Sequence, residues 1–179
     1  MKVVLDTCVL FPTVMRAMLL GLAGLGHFTP VWSARILEEW RRASVKLGPT
    51  GQVQAEAEIA LLRADWPKAE AAPAPGLEAR LWLPDPNDIH ILATGISTSS
   101  EAIITLNAKD FPRRELAEEG LERCDPDSFL HGFWCNDPDG VAQVGAMVLA
   151  DANRLSGNQW DTRSLLKKAR LPRLAKALR

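Results

Sequence analysis

The chain has 179 residues, 47% of them apolar and 24% charged, which excludes a disordered or fibrous protein and indicates an ordinary folded one. A chain of this length buries about 70% of the surface that its unfolded form exposes, so one main domain needs no disulfides to hold a core. The formal net charge of −1 gives no support to a general electrostatic attraction for nucleic acid.

The first part of the sequence alternates between short apolar runs and helical periodicity. Residues 2–5 are a Val-rich run that ends at Asp6, which is typical of a buried parallel strand. Residues 14–25 carry apolar side chains at helical spacing, and residues 28–32 indicate a second strand. Ser33 then caps a helix, because its hydroxyl can accept a hydrogen bond from the free N–H groups of the first turn.

The middle of the chain continues this alternation. An alanine-rich periodic segment predicts a helix, a segment rich in Pro and Ala predicts a loop, and an acidic turn with two prolines precedes the next helix. The clearest strand follows it. The predicted ranges are, in order, helix 52–64, loop 67–76, helix 89–96, strand 102–106, helix 114–119, strand 121–124 and a helix after the cap at 125–127.

Alternating strands and helices over the first ~130 residues predict an α/β fold, a three-layer α/β/α sandwich around a parallel sheet. After residue 137 the alternation stops, and the spacing predicts helices over 141–155, 162–169 and 171–178. We therefore predict a first domain at residues 1–135 and a helical C-terminal extension at residues 136–179.

Targeting signals and cysteine chemistry are not apparent in the sequence. The N-terminal apolar run is too short for a signal peptide, and no stretch approaches the ~20 apolar residues of a membrane span. The three cysteines are widely spaced and lack the pairing that a zinc site needs. We therefore expect reduced thiols in a cytoplasmic protein that does not associate with a membrane.

Four carboxylates lie at two kinds of position. Some follow the end of an apolar strand, and the others lie in a helix or at its start. Because the carboxyl ends of parallel strands meet at one edge of a sheet, acids far apart in sequence can converge there. Converged carboxylates repel, and a hard divalent cation such as Mg²⁺ holds such an all-oxygen set together. The four acids are Asp6, Glu39, Asp88 and Asp110.

The segments around these acids resemble the motifs of PIN domains, four of them in the same order. The run VLDTCVL at residues 4–10 resembles the opening strand and its "DTNVL" turn, with Cys8 in place of Asn. Glu39 follows the capping serine by six positions, as in the second motif. Residues 85–93 resemble the third motif and residues 104–112 the fourth, and the likeness extends over residues 2–130.

The resemblance implies a ribonuclease that cleaves single-stranded or structured RNA with one or two Mg²⁺ or Mn²⁺ ions, in which a bound metal activates a water and stabilises charge on the phosphate. Many bacterial members are VapC-type toxins held inactive by an antitoxin protein, and dimers are common. Catalytic and metal-binding roles are implied for Asp6, Glu39, Asp88 and Asp110. Supporting roles are implied for Thr7, through a hydrogen bond to a metal water, for Asp85, as an outer or second-metal acid, and for Asn107.

One position departs from the resemblance. Many PIN domains have an aspartate where this chain has Asn107, and Asp110 is the acid nearby. An asparagine can still orient a water or bind a metal through its carbonyl oxygen, but we expect weaker occupancy of a second metal. Two other functions therefore stay open: a catalytically degenerate PIN fold that serves as an RNA-binding or scaffolding module, and a nuclease that acts on DNA or flap structures.

Each acid also has a purely structural interpretation. Asp6, Asp85 and Asp88 could cap a turn or a helix, and Asp110 could pair with a neighbouring basic residue. Glu38 competes with its neighbour Glu39, because either could be a solvated helix acid, although the spacing from the capping serine favours Glu39. The three histidines do not cluster at ligand spacing, and we expect structural roles for His27, His90 and His131.

The C-terminal segment carries most of the unbalanced positive charge. Residues 161–179 contain seven Lys or Arg against one Asp, a net charge of +6, which leaves −7 for the rest of the chain. Such a segment could neutralise RNA phosphates, which would make RNA binding dependent on salt. The alternative is a solvated helix face.

Overall fold

Five short strands form one parallel sheet in the computed structural model, which describes residues 1–178. Their order across the sheet is β3-β2-β1-β4-β5 for β1 (Lys2–Leu5), β2 (Thr29–Ser33), β3 (Glu70–Ala71), β4 (Ala102–Ile104) and β5 (Glu122–Cys124). Val4 of β1 pairs with Val31 of β2 on one side and with Ile103 of β4 on the other. The order of strands therefore reverses at β1, and the carboxyl edge of such a reversal is where open parallel sheets bind ligands.

Helices flank this sheet and make the three-layer α/β/α architecture that the sequence predicts. None of the helices within residues 1–178 combines the length and the apolarity that crossing a membrane requires. The helices are α1 (Thr7–Leu10), α2 (Thr13–Gly24), α3 (Ala34–Ser44), α4 (Gly48–Asp65), α5 (Pro75–Glu78), α6 (Ile89–Ser97), α7 (Arg113–Glu118), α8 (Pro126–Asn136), α9 (Pro138–Ser156), α10 (Thr162–Lys168) and α11 (Pro172–Ala177), with 3-10 turns at Val45–Leu47 and Pro86–Asp88.

The central strands are buried, as continuous apolar runs predict for parallel strands covered on both faces. Val3, Val4 and Leu5 of β1 have no exposed surface, and neither do Ile103 and Ile104 of β4. Because these strands are fixed by burial on both sides, the residues that follow them are held at defined positions along the carboxyl edge of the sheet.

Three elements differ from the sequence-based prediction. The predicted loop at 67–76 contains β3, a two-residue edge strand whose Glu70 pairs with Trp32 of β2, and the start of α5. This strand depends on a partner distant in sequence, so local composition does not indicate it. α4 begins at Gly48 rather than at residue 52, because Pro49 in the first turn needs no N–H partner. α1 has no counterpart among the predicted elements.

The C-terminal helices pack onto the α/β part. α9 contacts α2 and α8, and α11 contacts α8 and α10. Asp127 of α8 accepts hydrogen bonds from the backbone N–H groups of Arg173 and Leu174, at 2.8 and 3.0 Å, where α11 begins. The division into residues 1–135 and 136–179 stays a prediction, and buried side chains of the second segment belong to the same hydrophobic core as those of the first.

Candidate active site

Asp6 directly follows β1, at the point where the order of strands reverses. Its backbone N–H donates to the carbonyl of Ile104 at 3.2 Å, which ties it to β4. Its carboxylate Oδ2 accepts hydrogen bonds from the hydroxyl of Thr105 at 2.6 Å and from the thiol of Cys8 at 3.1 Å. Although Asp6 occupies the N-cap position of α1, its side chain makes no capping hydrogen bond. The carboxylate is therefore held by its neighbours across the sheet edge rather than by the helix.

Cys8 stands where the resembling PIN motif has an asparagine, and it takes over a donor role. Burial and, to a smaller extent, the negative charge of Asp6 together raise the pKa of its thiol to about 12. The thiol thus stays protonated and can donate to Asp6. The backbone N–H of Leu106 donates to the Cys8 sulfur at 3.2 Å, so Cys8 also links α1 to the chain after β4.

Glu39 lies in α3 and reaches the same edge of the sheet. The hydroxyl of Ser33 accepts from the backbone N–H of Ile36 at 3.2 Å, which is the predicted helix cap. Six residues after the cap, the Glu39 carboxylate accepts from the Thr7 hydroxyl at 3.0 Å and lies 2.8 Å from Nε2 of His90. Burial alone would raise the pKa of Glu39, but the interactions with His90, Thr7 and Arg35 hold it below the usual range.

Glu38 points away from this site. Both of its carboxylate oxygens pair with the guanidinium groups of Arg41 and Arg42, at 2.7 and 2.9 Å. These hydrogen bonds hold the pKa of Glu38 at about 2. Of the two neighbouring glutamates, Glu39 is thus the one placed beside Asp6, and Glu38 is the solvated helix acid.

Asp88 begins α6 and is the most perturbed acid of the site. Its side chain makes no capping hydrogen bond, and its Oδ2 atom is buried without a hydrogen-bond partner among residues 1–178. The pKa of Asp88 is raised to about 6 by burial, the largest cause, together with four carboxylates, in decreasing order Asp6, Asp85, Asp110 and Glu39. The other three predicted acids and Asp85 therefore all lie close enough to disfavour the charged form of Asp88.

Asp85 and Asp110 meet Asp88 at close range. Ligand oxygens of these three residues all lie within 4.8 Å of one another. Asp85 also accepts from the backbone N–H of Asn87 at 2.9 Å, so its structural interpretation as a turn cap holds alongside its place in the cluster. The amide of Asn107 donates a short hydrogen bond to Asp110 Oδ2. Asp110 is thus oriented by Asn107 rather than by a basic neighbour.

Asp88 joins two groups of acids along one cleft. Asp6, Glu39 and Asp88 line a cleft of about 660 Å³ together with Thr7 and Asn107, whereas Asp85 and Asp110 approach Asp88 from outside the lining. Every candidate ligand is an oxygen, the acids carry mutually unfavourable charge, and a buried carboxylate oxygen is left without a donor. These features fit a hard divalent cation bound through carboxylates. We refer to this space as the acid cleft.

Several residues that line the acid cleft or hold its acids do not stand out in the sequence. His90 is 3% exposed and touches Glu39, and its only sequence signal is its position two residues after Asp88. Thr105 ends the same apolar run as β4, so its contact with Asp6 follows only from the strand order. Lys168 and Arg170 line the cleft from the C-terminal helices, and no local pattern places them there.

Comparisons with known proteins identify the family. Comparison with curated proteins and with solved structures gave no match. A family model described as PIN domain matches residues 2–109, which is more than half of the chain and contains β1 to β4 with Asp6, Glu39, Asp85 and Asp88. PIN domains are in general nucleases, so the fold of this chain is of a nuclease type. The chain belongs to the PIN domain family.

Proposed function

We propose that this protein is a metal-dependent endoribonuclease that hydrolyses phosphodiester bonds of single-stranded or structured RNA. The observation that carries the proposal is the state of Asp88. Its buried Oδ2 has no described donor, and its pKa is raised to about 6 by burial and by the four surrounding acids. A carboxylate placed at such cost to its ionised form is typical of a functional site.

The acids divide the work of holding a divalent cation, Mg²⁺ or Mn²⁺. Asp6, Glu39, Asp88 and Asp110 are the proposed ligands, and Asp85 is a further acid beside them. When bound, such a cation supplies positive charge that stabilises the phosphate oxygens and lowers the pKa of an attacking water.

The residues around the acids keep them in place. Thr7 and His90 fix the two oxygens of Glu39, and Thr105 and Cys8 fix Oδ2 of Asp6. Asn107 orients Asp110. In the sequence Thr7 is a candidate for binding a metal water, and its hydroxyl also lies 3.1 Å from the carbonyl of Ile36, so we assign it first to orienting Glu39.

The biological role that we propose is that of a toxin whose activity an antitoxin protein blocks in the cytoplasm. Support comes from the resemblance of the four acid motifs to those of PIN domains, many bacterial members of which are VapC-type toxins, and a homodimer would fit the same resemblance. A non-hydrolytic RNA-binding module is the second candidate. The specific observation in its favour is Asn107, which places an amide where many PIN domains have a further acid.

Cleavage assays with labelled single-stranded RNA and single-stranded DNA, at increasing Mn²⁺ and in EDTA, test the proposal. We expect cleavage of RNA that requires the metal, and its loss in Asp6→Asn, since the amide removes one negative ligand. Asp65→Asn is the matched control, because Asp65 is exposed at the end of α4. RNA binding without cleavage by the wild type would favour the second candidate, and cleavage of DNA alone would replace the substrate.

A further inference from the structure

The acid cleft has a second, basic wall that lies outside the residues of the family match. The lining of the cleft includes Lys168, Ala169 and Arg170. Two of these residues are positively charged, opposite to the charge of the acids in the same lining. These residues form the turn between α10 and α11, about sixty residues beyond the last residue matched by the PIN model. We call this turn, residues 168–170, the basic turn.

The basic turn is held in place by packing on both sides. Leu165, Leu166 and Leu171 next to it are buried in the hydrophobic core. At the start of α11, Asp127 of α8 binds two backbone N–H groups. On the other side, Lys168 Nζ lies 4.6 Å from the centre of the Trp160 ring, which is cation–π geometry. The turn is therefore a fixed part of the cleft and not a loose end of the chain.

Arg170 occupies a backbone conformation that normally favours glycine. Its φ is +61°, and Leu171 N–H donates to the Leu166 carbonyl at 2.9 Å, the hydrogen bond that ends a helix with a left-handed residue. A side chain in this conformation is strained relative to glycine. An arginine side chain is thus kept where the backbone alone favours none.

The basic residues of the turn form no salt bridge with the acids of the cleft among residues 1–178. Within residues 1–178, neither Lys168 nor Arg170 comes within 4.0 Å of a carboxylate oxygen. Trp160 compensates the charge of Lys168 only in part, because a cation–π contact leaves the ammonium's N–H groups free to donate. The lining of the cleft therefore includes two exposed basic residues that have no carboxylate partner among residues 1–178.

We propose that Lys168 and Arg170 bind a backbone phosphate of the RNA next to the phosphate that the acids address. The inference rests on the proposed function, since it assigns the substrate contacts of the same cleft. A phosphodiester chain repeats its negative charge, so a strand whose scissile phosphate lies at the acids carries a neighbouring phosphate along the cleft. Phe11 and Leu106, which are partly exposed, also line the cleft and offer an apolar surface to a base.

Two double variants with equal loss of charge test this assignment. The double variant Lys168→Gln with Arg170→Gly removes the basic wall. Because glycine readily adopts the positive φ of residue 170, the substitution adds no backbone strain that would lower the melting temperature. Arg163→Gln with Lys167→Gln is the control, because both side chains belong to the same helix α10, are exposed and lie outside the cleft lining. Binding of labelled single-stranded RNA is measured in the Asp6→Asn background at several salt concentrations.

We expect the basic-wall variant to reduce the magnitude of the slope of log affinity against log salt by about 0.7, the contribution of one phosphate contact on a single strand, and to raise KM in active protein. The control should keep the slope of the parent protein. The rise in melting temperature that Mn²⁺ causes should be the same in both double variants as in the parent protein.

An unchanged slope and an unchanged KM in a basic-wall variant that still cleaves RNA would overturn this inference alone. An equal drop in both variants would overturn it in favour of a diffuse basic surface. The slope could also change only in the basic-wall variant while the protein neither cleaves RNA nor gains melting temperature in Mn²⁺. That result would support the phosphate-binding inference and overturn the nuclease proposal.

Discussion

The two walls of the acid cleft are built in different ways. The acid wall consists of side chains that follow β1 and β4, lie in the helix after β2, or directly precede the helix before β4. Of these acids, Asp6, Glu39 and Asp110 accept hydrogen bonds from their neighbours. The basic wall is one turn between two short helices near the end of the chain, held by leucines and by Trp160. The first wall follows from sheet topology, whereas the second follows from the packing of distant helices. The comparison separates residues proposed to bind the metal from residues proposed to bind the substrate.

The sharpest break within the acid wall is between two neighbouring glutamates. Glu39→Gln should lower RNA cleavage more than about a hundredfold, because residues that only support metal ligands already cost about 10–100-fold when changed. Glu38→Gln should leave cleavage near the wild-type rate, since Glu38 pairs with Arg41 and Arg42 away from the cleft. Single-turnover cleavage rates of the two variants, at saturating Mn²⁺, decide the matter.

If Glu38→Gln lost more cleavage than Glu39→Gln, the site would face the other side of α3 from the one assigned to it. Neighbouring helical residues differ by about 100° in direction, so the two carboxylates cannot exchange roles without turning the helix. The stability of both variants serves as the control, since a loss of cleavage with an unchanged melting temperature cannot be a loss of the fold.

A smaller effect is expected at His90, which holds Glu39 without facing the substrate. His90→Gln keeps a donor near the position of Nε2, whereas His90→Asn places its amide near Nδ1, which has no described partner. We expect the asparagine variant to lose about 10–100-fold in Mn²⁺ affinity and the glutamine variant to lose less. Isothermal titration with Mn²⁺ measures this directly, and equal affinities in the two variants would reduce His90 to a packing residue.

The sequence predicts the acid wall more completely than the basic wall, for a physical reason. Residues at the carboxyl ends of parallel strands share one edge whatever their distance along the chain, so Asp6 and Asp110 can be placed together from strand ends alone. His90 and Thr105 require the strand order and helix orientation, which local patterns do not contain. The place of Arg170 depends on how α10 and α11 pack. From the sequence one can predict only that the C-terminal segment is basic, with RNA contact as one of two possible roles.

The edges of the fold follow the same rule. Central strands such as β1 are fixed by their own apolar residues, and the sequence predicts them closely. β3 consists of two residues whose strand conformation comes from pairing with Trp32 and Ser33, so a local analysis assigns a loop. The three-layer architecture was predictable because it rests on the first kind of element.

The pH dependence of the acid wall gives a further, smaller effect. The pKa of Asp88 is about 6 in the folded protein against an ordinary value of 3.8. The protonated carboxyl therefore stabilises the metal-free fold fully below pH 3.8, and this contribution is lost as the pH rises through about 6. Asp88→Asn should remove that part of the pH dependence while raising the melting temperature at neutral pH.

The central claim, that these acids bind a divalent cation, is tested most directly by the melting temperature in millimolar Mn²⁺ against EDTA at pH 7.5. A ligand present at about a hundred times its Kd stabilises the fold by about 2.7 kcal/mol, which corresponds to about 5–10 °C for a chain of this size. We predict such a rise for the wild type and for the exposed control Asp65→Asn, a smaller rise at pH 5, where protons compete for Asp88, and none for Asp88→Asn. An unchanged melting temperature of the wild type, or an equal rise in Asp88→Asn, would contradict the account.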